Sequence, residues 1–407
     1  MQCTNDGARS VPARPSVLLV TIDTLRADHV SAYGYARKTS PQLDALAADG
    51  ALFETAYAAS SATGPSHATL FTARHPLAHG VVCNGVVLDA SIPTIASLLS
   101  DAGYRTAAFV SSYPVASKFG LSHGFAHYDQ DFGTSGGTMK SRRWQRERGD
   151  AGALDRRGAV TVDAASAWLE QQKDGAPLLV WVHLFDPHAP YSPPAPYDAS
   201  FLTADPSQHQ REIDLYDGEI RYADEQLGRL VAAFDRTTGG RGLVVVTSDH
   251  GEGLWEHGYG GHNRDVWEEE VRIPLVVRWR GKVEPGRRVA EPVHLVDVLP
   301  TVVAAAGIAP PAGTSGVDLV AALTGRAELS AERLIYLTRP YFGERARKYH
   351  GGTGWGFGLR RGSWKLIEAQ SEGRRNLYDL ARDPEEQENR AGEEAARAAE
   401  LAGLVAG

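Results

Sequence analysis

Three short runs of apolar, largely β-branched residues, SVLLVTI (16–22), LLVWVHLF (178–185) and GLVVVTS (242–248), constrain this 407-residue chain more than any other feature. Each run is continuous rather than alternating, so neither face of the strand it forms can meet water, and strands of that kind belong to parallel sheets covered by helices. The segments between them carry helical patterning. Ser40 and Pro41 open one helix as N-cap and first-turn proline, Leu43 and Leu46 give its inward face, and Gly50 ends it. Further helices are expected at about 93–102, 159–172 and 211–236, the last with Ile213, Ile220, Leu227, Leu230 and Phe234 near helical spacing. Strands alternating with helices imply an α/β fold, a doubly wound sheet with helices on both faces.

Past about residue 325 the texture changes. GGTGWGFGLRRGSWKLIEA and RRNLYDL read as short antiparallel strands with turns, and a polar helix is expected from about 384. The expected organisation is an N-terminal tether (1–15), a large domain (16–325) and a smaller C-terminal α+β subdomain (326–407), with the polar stretch 133–158 as a surface excursion. The net charge of -8 argues against a general affinity for nucleic acid, and the basic clusters Arg142-Arg143 and Arg345 to Lys348 are short enough to be solvated surface. Cys3 and Cys83 cannot build a disulfide framework, and neither has metal-type spacing. No apolar run is long enough to span a bilayer, and MQCTNDGARSVPARP lacks the apolar segment of a signal peptide, so the expected location is cytoplasmic. A periplasmic or lipid-anchored protein that has lost its signal is the alternative, suggested by the polar, proline-containing tether after Cys3.

Each buried run delivers polar residues just past its carboxyl end: Asp23 after the first, Asp186 and His188 after the second, Asp249 and His250 after the third. Ligands of open α/β sheets bind in the crevice outside those strand ends, so three distant segments converge on one place. Adjacent carboxylate and imidazole at 249–250 suit a divalent cation. In SSATGPSHATLFTAR (60–74), Gly64-Pro65 is expected to make a turn, Ser66 or Thr63 to cap, and a helix to follow. A hydroxyl at such a helix start faces backbone N–H groups that favour an oxyanion, and it can act as a nucleophile if a metal lowers its pKa. A plain N-cap is the competing interpretation.

The chain resembles the sulfatase family of the alkaline phosphatase superfamily. The resemblance rests on VTIDTLRADHVSAYGYARKTSPQLDALAADGALFETAYA (20–58), TGPSHATLFTARHPLAHGV (63–81), AGYRTAAFV (102–110), HLFDPHAPYSPP (183–194), TSDHGEGLWEHG (247–258), EEEVRIPLVV (268–277), HLVDVLPTVVAAAG (294–307) and WKLIEA with NLYDLARDPEEQEN (364–389). It implies an alkaline-phosphatase-like sheet in a catalytic domain. It further implies a divalent ion (Ca, Mn or Zn) held by Asp23, Thr63, Asp249 and His250, with Thr63 as nucleophile. His188 would contact the transferred oxyanion or protonate the leaving group, and His262, in GGHN, would be a further basic residue facing the substrate. One metal is expected; Asp186, His188 and His262 are the set that would hold a second.

Departures from the family pattern bear on the reaction. The family motif C-x-P-S-R, whose cysteine becomes formylglycine, is T-G-P-S-H here, with Thr63 for the cysteine and His67 for the arginine. Thr24 replaces a second metal-binding aspartate, and the lysine and histidine that usually follow GY-x-T are absent. Threonine-dependent relatives act on phosphorus, so the expected function is metal-dependent hydrolysis of a phosphate mono- or diester, or of a sulfate ester, on a small-molecule, glycan or lipid substrate. The alternatives are a sulfatase proper, a phosphotransferase to a glycan or lipid acceptor, and an inactive binding protein of this fold.

Overall fold

The computed structural model describes residues 14–134, 137–149, 152–343 and 353–406. Residues 1–13, with Cys3 and nearly all of the expected tether, and the cluster Arg345 to Lys348 lie outside the described residues.

Strands β1 (Val17–Ile22), β2 (Ala51–Tyr57), β3 (Arg105–Val110), β4 (His127–Asp129), β5 (Leu178–Leu184) and β6 (Leu243–Ser248) are followed by a two-strand ribbon, β7 (Gly253–Leu254) with β8 (Gly260–Gly261), and by β9 (Arg272–Arg278), β10 (Arg287–Val289) and β11 (Val293–His294). They build a nine-stranded sheet in the order β10-β2-β9-β6-β1-β5-β3-β4, with β11 beside β2. The three apolar runs are β1, β5 and β6, parallel and adjacent at its centre. Val17 and Leu19 of β1 enter the core on one side of the sheet and Leu18, Val20 and Ile22 the core on the other. That two-sided burial is why the runs are continuous. The sheet is mixed rather than wholly parallel: β9 runs antiparallel to both β2 and β6.

Helix α1 (Pro41–Ala48) forms where Ser40-Pro41 predicts it, but Ser40 makes no side-chain cap; its hydroxyl bonds Ser31 and Asp44 instead. The other expected helices are Ile95–Asp101, Gly158–Glu170 and Gln208–Thr238, the last burying Ile220, Leu227, Leu230 and Phe234 in the same core as Leu18 and Val20.

The C-terminal part is an antiparallel sheet in sequence order, β12 (Ile335–Phe342), β13 (Gly354–Arg361), β14 (Trp364–Ala369) and β15 (Arg374–Asp379). Its covering helix starts at Ala395, not near 384. The Asp383 carboxylate accepts from the N–H groups of Gln387 and Glu388, holding a compact turn where a helix was expected. Ile335, Leu337, Ile367 and Tyr378 pack against Tyr57, Val266, Trp267 and Val271. Within this seam the fully buried Lys365 ammonium lies 2.8 Å from Glu268 Oε1 and 3.0 Å from Glu386 Oε1. Burial pushes the Glu386 carboxyl up to about 8 even beside that ammonium.

Removing one member of a buried ion cluster leaves its partners desolvated and uncompensated. Lys365→Met is therefore expected to cost about 3–5 kcal/mol in urea unfolding. The loss should shrink as pH falls and Glu268 and Glu386 take up protons; a loss independent of pH would show that the ion cluster is not its cause.

Candidate active site

The register of the central strands fixes where the site lies. Ile22 is level with Leu184 on one side and Ser248 on the other, so β1, β5 and β6 end together. The Asp23 N–H donates to Leu184 O at 2.9 Å, extending the ladder by one residue before the chain turns. Thr24 makes that turn with φ 55°, a left-handed conformation uncommon for a non-glycine residue. Its N–H donates to Asp249 Oδ1 at 3.3 Å, and its carbonyl accepts the Tyr216 hydroxyl at 2.7 Å from the long helix. Ser248 ties the two loops, its hydroxyl accepting the Leu25 N–H at 3.0 Å and lying 2.7 Å from Ile22 O. Gly251 lets the third loop pass: a Cβ there would sit 2.0 Å from the Glu269 carbonyl oxygen.

Asp23, Asp249 and His250, all wholly buried, bring one donor atom each to within 4.8 Å of one another. Both oxygens of Asp23 and Oδ2 of Asp249 have no hydrogen-bond partner. Two unsatisfied buried carboxylates side by side repel each other and have lost their water, an arrangement suited to a divalent cation. Burial, then the charges of Asp249 and Glu252, push the Asp23 carboxyl well above the usual range. Burial acts on Asp249 too, but the neighbouring His250, His67 and His183 hold it below the usual value. His250 Nδ1–H donates to Gly251 O at 2.8 Å, which fixes the tautomer and leaves Nε2 as an acceptor 3.5 Å from Asp249 Oδ2 and 3.7 Å from Asp23 Oδ1. Burial pushes the imidazole pKa down and keeps it neutral, as a metal ligand must be.

Thr63, 2% exposed, places Oγ1 3.3 Å from His250 Nε2. It opens helix α2 (Thr63–Thr72) as the first helical residue, so Gly64-Pro65 is part of the helix rather than a turn before it. Proline's fixed φ suits a first turn, where its missing N–H has no partner to lose. Ala62 occupies the cap position, and Ser66 does not cap: its hydroxyl donates to Ser60 O at 2.7 Å and pins the approach to the helix. The Gly64 N–H is taken by Asn84 Oδ1 at 2.7 Å.

His188 and His262 line the same crevice, their ring centroids 4.9 Å apart, with the His262 ring 4.5 Å from that of His250. His188 donates Nδ1–H to Ala189 O at 2.6 Å and stacks on Phe185. His262 donates Nδ1–H to Glu252 Oε1 at 2.9 Å. Burial pushes each imidazole down to about 4. Asp186 does not join them. Arg157 takes Oδ1 at 2.7 Å and the Gly158 N–H takes Oδ2 at 2.8 Å, so this carboxylate anchors the start of the helix Gly158–Glu170. The second-metal set Asp186, His188 and His262 is therefore not assembled; among the described residues only Asp23, Asp249 and His250 form a metal-type cluster.

Four residues around the site escaped the sequence reading as site residues. Glu252, wholly buried, orients His262. Beneath the carboxylates, Thr21 Oγ1 lies 3.0 Å from His67 Nε2, 3.3 Å from His183 Nδ1 and 3.0 Å from the Trp181 indole N–H. His67 Nδ1 in turn donates to Thr63 O at 2.8 Å, and His183 Nε2 stands 3.6 Å from Asp23 Oδ2. A single polar residue in the otherwise apolar runs of β1 and β5 is the signal that marks Thr21 and His183.

The Asp23 carboxyl holds its proton to a higher pH when folded than the unfolded chain's ordinary value of about 3.9. The chelator-treated protein should thus lose stability as pH rises from that value through the raised one. Asp23→Asn should flatten this slope in thermal melts. Saturating Ca, Mn or Zn should stabilise the native chain, by about 2.7 kcal/mol at a hundredfold excess over Kd, and the variant far less. Equal metal stabilisation of both proteins would dissociate Asp23 from cation binding.

The chain and its fold are similar to known proteins. A sulfatase family model matches residues 15–308, and a model for the C-terminal part of N-sulphoglucosamine sulphohydrolase matches 255–402. An ulvan-active sulfatase of Formosa agariphila is 25% identical, over 82% of this chain and 70% of its own. The fold superposes with TM-score 0.77 on the phosphonate monoester hydrolase of Agrobacterium radiobacter, 23% identical over 96% of this chain and 94% of that one. It superposes with TM-score 0.79 on a structure in complex with its substrate D-glucosamine-2-N,6-O-disulfate, 20% identical over 96% and 97%. With the family model covering the strands, loops and helix start that build the crevice, the chain belongs to the sulfatase family of ester hydrolases.

Proposed function

We propose that the protein hydrolyses a phosphate mono- or diester, or a sulfate ester, of a small-molecule, glycan or lipid alcohol, with the Thr63 hydroxyl as nucleophile. The observation that carries this is the position of Thr63 Oγ1 at the first residue of α2, 3.3 Å from His250 Nε2 on the rim of the unpartnered oxygens of Asp23 and Asp249 Oδ2. A divalent cation (Ca, Mn or Zn) held by Asp23, Asp249 and His250, with Thr63 completing its shell, would lower the pKa of the hydroxyl and offset charge on the transferred group.

The chain's own groups supply the rest. His67 holds the Thr63 carbonyl from the helix side and keeps Oγ1 aimed at the crevice. Attack by Oγ1 expels the alcohol and leaves an ester on Thr63. That ester has no second hydroxyl with which to expel the transferred group, the role a formylglycine hydrate plays, so water must attack the central atom. His262, oriented by Glu252, and His188 both present a neutral Nε2 able to accept a proton from that water. The low pKa of His188 favours this role over protonation of the leaving group. Water attack on the central atom is the reason phosphorus is favoured over sulfur. The structural likeness to a phosphonate monoester hydrolase is in keeping with a site that accepts phosphorus, and the sulfatase relatives keep sulfate esters in the panel.

Metal-loaded protein should be assayed on matched aryl sulfate, aryl phosphate and bis-aryl phosphate. A phosphorus ester is expected to be the fastest, and Thr63→Ala to lower kcat on the order of 10³-fold, while Thr63→Ser, which keeps a hydroxyl, loses much less. Near-normal activity in Thr63→Ala would remove the nucleophile, and a much faster aryl sulfate would reverse the order of substrates.

A further inference from the structure

The opposite end of the sheet carries a feature that the reaction does not use. Around the amino ends of β1, β5 and β6 runs a groove of about 870 Å³ lined by Arg14, Lys173, Arg236, Arg241, Arg280 and Lys282, with Glu170 as its one carboxylate. These cations come from different segments: the residues before β1, the last turn of the helix Gln208–Thr238, the loops that enter β5 and β6, and the turn after β9. All six are exposed.

Local structure accounts for part of this charge. Arg280 is paired with Asp49 and Asp235, and Arg14 donates to Ala102 O at 2.6 Å. The helices Gly158–Glu170 and Gln208–Thr238 both end at the groove, and their C-terminal partial charges of about half a unit each favour nearby cations. Lys173, Arg236, Arg241 and Lys282 nevertheless have no carboxylate or carbonyl partner among the described residues, and they exceed what two helix ends attract. The concentration stands out because the whole chain carries -8. An anionic surface repels the rest of the molecule and attracts this face, which fixes a single docking orientation.

We propose that this basic groove docks the protein on the anionic headgroups of a phospholipid bilayer. Two placements favour a bilayer over a soluble polyanion. Arg14, the first described residue, lies within the groove, so the preceding chain is attached at this face. The crevice of Asp23, Thr63 and Asp249 lies at the other end of the sheet, so docking leaves its mouth turned to solvent and open to substrate.

The test is flotation of the full chain with phosphatidylcholine vesicles with and without phosphatidylglycerol. Wild type should partition onto the anionic vesicles only. The variant Lys173→Glu/Arg236→Glu/Arg241→Glu/Lys282→Glu should lose that partition by at least about tenfold, since each basic group near an anionic surface contributes severalfold. A control of equal charge change at exposed positions elsewhere, Lys38→Glu/Arg142→Glu/Arg146→Glu/Arg382→Glu, should keep most of it. Both variants should retain wild-type hydrolysis of a soluble ester, which checks their folding. Absence of wild-type partition, equal partition onto neutral vesicles, or equal loss in the control overturns the proposal. So does capture by dextran sulfate without partition onto anionic vesicles, which would make the groove a polyanion site.

Discussion

In-register pairing of β1 with β5 and β6 is the constraint on which the rest of this molecule depends. Parallel strands share a direction, so strands that pair level also end level, and whatever follows them in sequence arrives at one edge. Asp23 and Asp249 are more than two hundred residues apart in the chain, yet each is the first residue past a strand whose partner stops at the same height. A one-residue slip of β6 would invert every side chain of that strand between the two cores and carry Asp249 away from Asp23. The Ser248 hydroxyl, bonded to Ile22 O and the Leu25 N–H, opposes the slip, so bonds between the strand ends, rather than any contact between the carboxylates, hold two groups that repel each other in place.

The electrostatics of the crevice follow from that imposed proximity. Burial and the charges of Asp249 and Glu252 raise the Asp23 carboxyl, while His250, His67 and His183 hold Asp249 below its usual value. The nitrogens of the crevice belong to imidazoles, and burial keeps His67, His188, His250 and His262 on the neutral side. Neutral nitrogens can receive protons and coordinate cations but add little attraction for a doubly charged anion. A pocket so built has little positive charge of its own, which a bound cation would supply.

How much of this is legible in the sequence depends on whether a residue's environment is written beside it. The strands β1, β5 and β6 announce themselves because burial on both faces demands unbroken apolar runs, and Asp23, Asp249 and His250 are visible because they interrupt such runs at their ends. Strand β9 is less visible, since Arg272 and Pro274 break its pattern and its antiparallel course is a property of the whole sheet. Asp186 has the same local signature as Asp23, a carboxylate just past a buried strand. Only Arg157 and the Gly158 N–H, supplied by a distant segment, distinguish an anchor from a ligand. His183 and Thr21 are hidden for the opposite reason: they sit inside strands, where a polar residue reads as noise until its partners across the sheet are known.

The buried seam at Lys365 has a consequence for dynamics. Glu268, one of its two carboxylate partners, lies near the end of the segment 251–271, which carries Glu252 and His262, and Val266, Trp267 and Val271 of that segment pack on the C-terminal sheet. The central strands hold the other end through Ser248. The segment is therefore shared between two cooperative units, and its amides should follow the C-terminal sheet in hydrogen exchange rather than the slowly exchanging core of β1 and β6. A transient opening of β12 to β15 would loosen His262 while leaving Asp23, Thr63 and Asp249 assembled, so the two sides of the crevice answer to different cooperative units of the chain.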